Sequence, residues 1–468
     1  MERLSGLDAS FLYIETTDQP LNICSILELD ASTIPGGYSF ERLSEALAVR
    51  LKAMPEFRTK LADSPLNLDH PVWVEDRDFD LSNHLHHIGL PSPGGRAELA
   101  KICGHLASLP LDRSKPVWEM WVIEDRHRAD QPDGDEWLAV VIKVHHAAVD
   151  GVTGAGLLKE LCSLEPEAPR PAAVAGPGDG GALEIVVDGL VRLASRPLRL
   201  LGVLPMTAAS VVTTLRRARA GLAMAAPFTA PPTPFNAAVT HGRNVSFAQL
   251  DLADVKQVKS RFDVKVNDVV LALCAGVLRR FLREAGDLPV KPLVAMVPVS
   301  VHGQCDRPGR NQVSGMFCRL ETHIDDAGQR LAAIARANVA AKGHTSALGP
   351  TLLLDWSQVA ARAVFGLATG LMGSTALSAN PVHNLIISNV AGPQTRLYFL
   401  GAEVKALYPL GPIFHGSGLN ITVISLNGKL NIGIISCPRL VPDVWELADA
   451  FHHELAELLT CHAGTAAP

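Results

Sequence analysis

Between Trp137 and Val144 the chain reads Trp-Leu-Ala-Val-Val-Ile-Lys-Val, an apolar, β-branched run broken only by Lys143. A segment this short and this apolar suits a strand covered on both faces, as in a sheet with helices packed against it. It runs directly into His145-His146-Ala147-Ala148-Val149-Asp150-Gly151, and Gly151 opens a stretch, Val152 to Leu161, that reads as helix. Strand, polar turn, helix is how α/β proteins present reactive groups at strand ends. An α/β fold is therefore expected.

A histidine at such a strand end can serve as a general base, because its free pKa of about 6.5 lies near neutrality. A carboxylate four residues on can hold the loop or orient an imidazole, and Gly151 permits a turn that a larger residue resists. The same residues also fit a buried, satisfied polar pair. A metal site is disfavoured, because His145 and His146 in extended chain point opposite ways and no third ligand is evident.

Other segments agree with the α/β reading. Leu21 to Leu29 and Leu419 to Leu426 read as strands; Phe40 to Ala53, with Ser39 as N-cap, and Val269 to Leu282 read as helices. Asn427-Gly428 between two apolar runs predicts a hairpin, since both turn positions need positive φ. After Pro442 and Asp443, apolar residues at helical spacing predict a C-terminal helix. His84-Leu85-His86-His87 reads as a loop. His452-His453-Glu454 falls on the C-terminal helix, where Glu457 stands in place of the second histidine of an H-E-x-x-H zinc motif.

Two stretches punctuate the chain. Pro166 to Gly181 is rich in Pro, Ala and Gly, and Pro227 to Pro234 holds four prolines. Between them, Leu183 to Ala226 is apolar and basic. It reads as a pair of packed helices bridging two domains, or as an amphipathic segment lying on a membrane. Its most apolar part, Leu200 to Thr214, is interrupted by Pro205 and falls short of the roughly 18–20 residues a span needs.

The 468 residues carry a net charge of −6, which argues against a nucleic-acid binder driven by bulk charge. A mean hydropathy of +0.17 is high for a soluble protein and points to a greasy partner. Eight scattered cysteines without a C-x-x-C pair suit reduced, buried thiols, and no secretory leader is visible, so a cytoplasmic, non-secreted protein is expected.

His145-His146-x-x-x-Asp150-Gly151 is the signature of the coenzyme-A-dependent acyltransferase superfamily. The chain more specifically resembles the bacterial wax ester synthase/acyl-CoA:diacylglycerol acyltransferase family. The resemblance is carried by Leu4-Ser5 with Asp8-Ala9 and Phe11, by Lys115-Pro116-Val117-Trp118-Glu119-Met120, and by Val266-Asn267-Asp268-Val269-Val270-Leu271-Ala272. It continues through Met296-Val297-Pro298-Val299-Ser300, Ile387-Ser388-Asn389-Val390-Ala391-Gly392-Pro393 and Gly418-Leu419-Asn420-Ile421-Thr422. Val117 and Ala391 depart from the family's usual Leu and Pro, which bears on substrate preference more than on fold.

The resemblance implies two chloramphenicol-acetyltransferase-like subdomains, each a mixed sheet flanked by helices, with a channel between them. These would be residues 1–165 and 235–468, joined by 166–234. It implies His146 as general base, His145 in support, Asp150 holding the loop through a basic partner and Gly151 as a conformational residue. Asn267, Asp268, Ser388 and Asn389 are expected along the channel; Pro116 and Trp118 are expected to pack.

The implied reaction moves a long-chain acyl group from acyl-CoA, as cosubstrate, to diacylglycerol or a fatty alcohol. No covalent acyl-enzyme, permanently bound cofactor or metal is called for. Another alcohol, such as a polyketide or glycolipid, is the alternative acceptor, and a non-catalytic lipid-binding or lipid-droplet protein is the alternative class. A peripheral position on the inner membrane face or on lipid droplets is expected.

Overall fold

The computed structural model describes residues 1–64, 69–125, 136–149, 160–167, 171–176, 181–301, 310–348, 352–359 and 378–461. After a short strand at Glu2–Arg3, which joins Val72–Glu75 and Thr59–Ala62 in a small separate sheet, the N-terminal part has helix α1 (Gly6–Ile14), strand β1 (Asn22–Asp30) and helix α2 (Phe40–Leu51). Strand β2 (Leu85–Gly89), helix α3 (Gly95–Ser108) and strands β3 (Trp118–Glu124), β4 (Trp137–His145) and β5 (Cys162–Ser163) follow. A long helix, α4 (Ala182–Arg219), leads to β6 (Asn244–Asp251), α5 (Leu252–Phe262), α6 (Val266–Glu284), β7 (Val294–Ser300) and β8 (Val313–Arg319). Then come α7 (Ala327–Leu348), α8 (Leu352–Val359), β9 (Leu385–Ala391), β10 (Tyr398–Phe399) and β11 (Ala402–Leu410). Strands β12 (Leu419–Leu426) and β13 (Lys429–Ser436) and helix α9 (Trp445–Thr460) complete the order.

Two mixed sheets form the frame. The first runs β2-β3-β4-β1-β11-β10-β5, the second β8-β7-β9-β12-β13-β6. The apolar run of β4 explains itself once both faces are seen. Leu138, Val140, Ile142 and Val144 enter one core cluster, and Ala139 and Val141 the cluster on the opposite face. Lys143 shares the second face, is fully buried, and reaches Glu119 Oε2 at 3.2 Å from the residue directly across on β3. A third cluster joins the second sheet to α6 and α9.

The second half of the chain contributes two strands to the first sheet. β11 pairs antiparallel with β1 and lies against β12 and β13, so the sheets meet along it. Contact is close enough that a Cβ on Gly433 would lie 2.0 Å from the Pro409 carbonyl oxygen. Only glycine lets the two backbones approach this far. The hairpin turn has φ of 44° at Asn427 and 76° at Gly428, both in the left-handed region.

Two expectations need correction. The segment from Leu183 is not a pair of helices: α4 is one helix of 38 residues with Pro197 and Pro205 inside it. Each proline deletes a backbone bond and bends the helix without ending it. His84 to His87 is not a loop either, since Leu85–Gly89 forms β2, parallel to β3. The imidazoles supply flat, apolar faces to the sheet: His84 stacks on Trp118 at 4.6 Å and His86 lies 4.2 Å from Trp121. His87 meets Glu124 at 2.7 Å across the strands.

Candidate active site

The turn after β4 is built by backbone bonds from both sides. The His145 N–H donates to Val117 O at 2.9 Å, and the His146 N–H to Leu21 O at 2.8 Å. Neighbouring residues in this extended segment turn opposite ways. His145 is fully buried, and His146 is half-buried at the wall of a cavity of about 750 Å³. That is within the usual range of small-molecule sites, about 300–1,000 Å³.

The cavity lies between the sheets. Ile23 of β1 and Leu407 and Leu410 of β11 face it from the first; Met296, Phe317 and Ile386 face it from the second. Its lining is mostly apolar, with Ser25, Ser300, Ser314 and Thr422 among the polar exceptions. Such walls accept a hydrocarbon chain and leave little water around a reacting group. The His146 ring stacks on Phe11 of α1, centroids 4.0 Å apart and planes 17° from parallel.

His145 faces away from the cavity. Its Nδ1 accepts the Ala147 N–H at 3.0 Å, which leaves the ring proton on Nε2, 3.4 Å from Glu15 Oε1. Glu15 also accepts the Leu21 N–H at 3.0 Å and pairs with Arg113. Burial alone would raise the Glu15 carboxyl. The His145 ring, the Leu21 N–H and Arg113 outweigh it and hold the group at about 2.

A carboxyl depressed from about 4.5 adds roughly 3 kcal/mol of stability that is present above pH ~4.5 and lost as pH falls towards 2. Glu15→Gln is therefore expected to lower the urea midpoint clearly at pH 7 and by much less at pH 3. Equal losses at both values would contradict this account.

Of the other expected residues, Ser388 and Asn389 line the cavity. Asn389 Nδ2 donates to Asn267 Oδ1 at 3.3 Å, which puts Asn267 one residue behind the wall. Asp268 does not line it. Its carboxylate accepts the Lys265 N–H at 3.0 Å, closing the first turn of α6, and Asn338 Nδ2 at 2.8 Å. Asp150 and Gly151 lie outside the described residues. Trp118 is buried and its indole N–H donates to Phe57 O at 2.8 Å.

Burial pushes the thiols of Cys24, Cys162, Cys274 and Cys318 up to about 12, so none of these four is a ready nucleophile. On α9, His453, Glu454 and Glu457 come together, but Glu454 is already engaged by Arg330 at 3.1 Å.

An imidazole stands against an apolar cavity at a sheet–sheet junction, a setting in which a histidine can meet a lipid-soluble molecule. The comparisons with known proteins agree. The wax ester synthase/diacylglycerol acyltransferase catalytic domain matches residues 4–270, and the WS/DGAT C-terminal domain matches residues 310–459. The chain belongs to the wax ester synthase/diacylglycerol acyltransferase family.

A Mycobacterium tuberculosis protein bearing the name diacylglycerol O-acyltransferase is 57% identical over 461 residues, covering 98% of this chain and 91% of its own length. Another from the same species is 34% identical over 462 residues, covering 97% of this chain and 99% of its own. The structure of the wax ester synthase/diacylglycerol acyltransferase from Marinobacter aquaeolei VT8 superposes with a TM-score of 0.70 at 28% identity, covering 98% of both chains. The first condensation domain of the CDA synthetase superposes with a TM-score of 0.60 at 14% identity, covering 100% of this chain and 97% of that one. That likeness concerns the fold alone. The family and the two-sheet architecture expected from the motifs both hold, and this wax ester synthase/diacylglycerol acyltransferase family member is an acyltransferase.

Phe11, Glu15 and Asn311 escaped the sequence reading as site residues. For the first two a signal existed. Ser5 and Asp8 have capping-box spacing, residues 8 and 11 share one face of the helix it starts, and Glu15 caps the end of that helix.

Proposed function

We propose that this chain transfers a long-chain acyl group from acyl-CoA to the free hydroxyl of diacylglycerol, and also to fatty alcohols, with His146 as general base. The observation that carries the reading is the His146 ring on the wall of a large apolar cavity between the two sheets. Neutral His146 takes the proton from the acceptor hydroxyl as its oxygen attacks the thioester carbonyl carbon. The tetrahedral intermediate collapses, the C–S bond breaks, and the imidazolium returns the proton to the leaving CoA thiolate. No acyl-enzyme is needed, because the thioester is already activated. His145, turned to Glu15, supports the loop; Asp150 and Gly151 are assigned to loop geometry by the family motif.

The test is free-thiol release from palmitoyl-CoA with no acceptor, with diacylglycerol or with hexadecanol, alongside His146→Ala. Acceptor-dependent release that the variant lacks supports the reading; release unaffected by the variant defeats it.

Chain length gives a second check. Val313, Gly315 and Phe317 of β8 all line the cavity, and a Cβ on Gly315 would meet nothing nearer than Met296 at 3.9 Å. A side chain fits there and takes space from the substrate. Gly315→Leu is expected to lower turnover of 16-carbon relative to eight-carbon substrates by roughly tenfold, about two buried methylenes' worth of binding. An unchanged chain-length profile would count against a lipid chain along β8.

We also propose that the protein works on the cytoplasmic side, peripherally, at a membrane or lipid-droplet surface. Helix α4 supports this. Its residues Leu183–Arg219 are long and apolar enough to cross a bilayer by length and composition, yet only 11% of the most apolar window is buried. The helix is tied to the protein near its start and past its middle: Asp188 pairs with Arg3 at 2.7 Å, and Thr207 accepts the Trp356 indole N–H at 2.8 Å. A helix held in this way lies along a surface, and Arg216, Arg217 and Arg219 at its end suit anionic headgroups. Flotation with anionic liposomes, weakened by Arg216→Glu with Arg217→Glu, is the expected result; protein left in the dense fraction with every lipid would refute it.

A further inference from the structure

Helix α1 presents Asp8 and Phe11 three residues apart on one face, Glu15 caps its C-terminal end, and each of the three reaches the His145-His146 turn. Glu15 faces His145, and Phe11 stacks on His146. Asp8 works at one remove, through Asn311.

The Asp8 carboxyl is 1% exposed and accepts five hydrogen bonds. Ser5 Oγ donates at 2.7 Å, Ser5 N at 3.3 Å, Arg310 N at 3.1 Å, Asn311 N at 2.9 Å and Asn311 Nδ2 at 2.8 Å. All five groups can donate to the carboxylate, which offsets part of the burial that pushes the Asp8 carboxyl above its ordinary range. The same Asn311 amide donates its other hydrogen to the His146 carbonyl oxygen at 2.7 Å. Asn311 is itself 1% exposed and stands two residues ahead of β8, in the second sheet, whereas His146 follows β4 of the first.

A device that only glued the sheets together could use apolar contacts. This one spends a buried amide on the backbone of the residue whose ring enters the cavity. We infer that α1 is a positioning element for His146, with Asp8 orienting Asn311, Asn311 fixing the His146 carbonyl, and Phe11 fixing the imidazole plane. The inference rests on His146 being the base. Asp8, Phe11 and Asn311 are positioning residues: they take no proton from the substrate and act through His146.

The test uses the full chain and the thiol-release assay, with Asn311→Ala, Phe11→Leu, Phe11→Tyr, His146→Ala and the double variant Asn311→Ala/His146→Ala. Displacing a catalytic group by about 1 Å can cost on the order of 100-fold. Asn311→Ala and Phe11→Leu are therefore expected to lower kcat about 10- to 100-fold with KM for palmitoyl-CoA within about twofold. Phe11→Tyr, which keeps the ring, recovers most of the loss. The double variant matches His146→Ala alone, because nothing remains to position.

A kcat within twofold of the parent for Asn311→Ala and Phe11→Leu overturns the inference. So does a double variant that falls below His146→Ala by the full Asn311 factor. If Asn311→Ala does not fold, Phe11→Leu, which breaks no hydrogen bond, decides alone. Should His146→Ala itself retain activity, the base assignment fails, an outcome distinct from failure of the positioning role.

Discussion

Replacing His146 with alanine is expected to lower acceptor-dependent thiol release by roughly 10²- to 10⁴-fold, the usual contribution of a positioned general base. The melting temperature should stay close to that of the parent. The ring is half-buried on the wall of the cavity, so its loss opens that wall without breaking the core. KM for palmitoyl-CoA should change little, because the base acts on the acceptor proton in the transition state. His145→Ala should behave the other way. It removes a fully buried ring and leaves Glu15 without one of its partners, so it should cost stability first and turnover as a consequence. Measuring melting and thiol release for both variants separates these roles. A stable, active His146→Ala protein would remove the proposed mechanism.

Glu119→Leu is expected to be the most damaging single change to stability. Lys143 is fully buried in the middle of the first sheet, and Glu119 Oε2 lies 3.2 Å from its ammonium group. Breaking a fully buried pair costs about 3–5 kcal/mol, and because the Glu119 side chain is 23% exposed the loss here falls at the lower end of that range. Replacing both partners, as Lys143→Met with Glu119→Leu, should recover most of that loss, since apolar side chains of similar volume fill the same space without a desolvation penalty. Unfolding midpoints of the two single variants and the double variant test this. A single variant as stable as the parent would mean that the pair contributes nothing in place. Because Lys143 stands two residues before His145, on the same face of β4, the single variant should also depress activity by disturbing the strand end.

Much of the fold was legible in the residues. Strand β4 was readable because an apolar run without period needs cover on both faces, and it has it. The β12–β13 hairpin followed from Asn427-Gly428, since few other pairs accept two positive φ angles. His146 was named as the candidate base by the family motif; the rule that neighbouring residues in extended chain face opposite sides separated the two histidines without saying which one meets a substrate. These are local rules: period, turn chemistry and side-chain direction act within a few residues.

What tertiary structure decided was partnership. No local pattern says that β11, from the second half of the chain, crosses to pair with β1, or that Gly433 must be bare so that Pro409 O can approach it. His86 of β2 lies against Trp121 across the strands, and His84 just ahead of β2 stacks on Trp118, partners that no local pattern names. The α4 segment stayed one helix through Pro197 and Pro205, with Asp188 held by Arg3 and Thr207 by Trp356. The site shows the same division. The sequence by itself placed a histidine pair at a strand end, and the family motif singled out His146. Only the meeting of α1, β4 and the residues ahead of β8 decided what holds it. The reason is that Asp8, Asn311 and His146 are hundreds of positions apart at the extremes, and their hydrogen bonds exist only once both sheets have closed on the cavity.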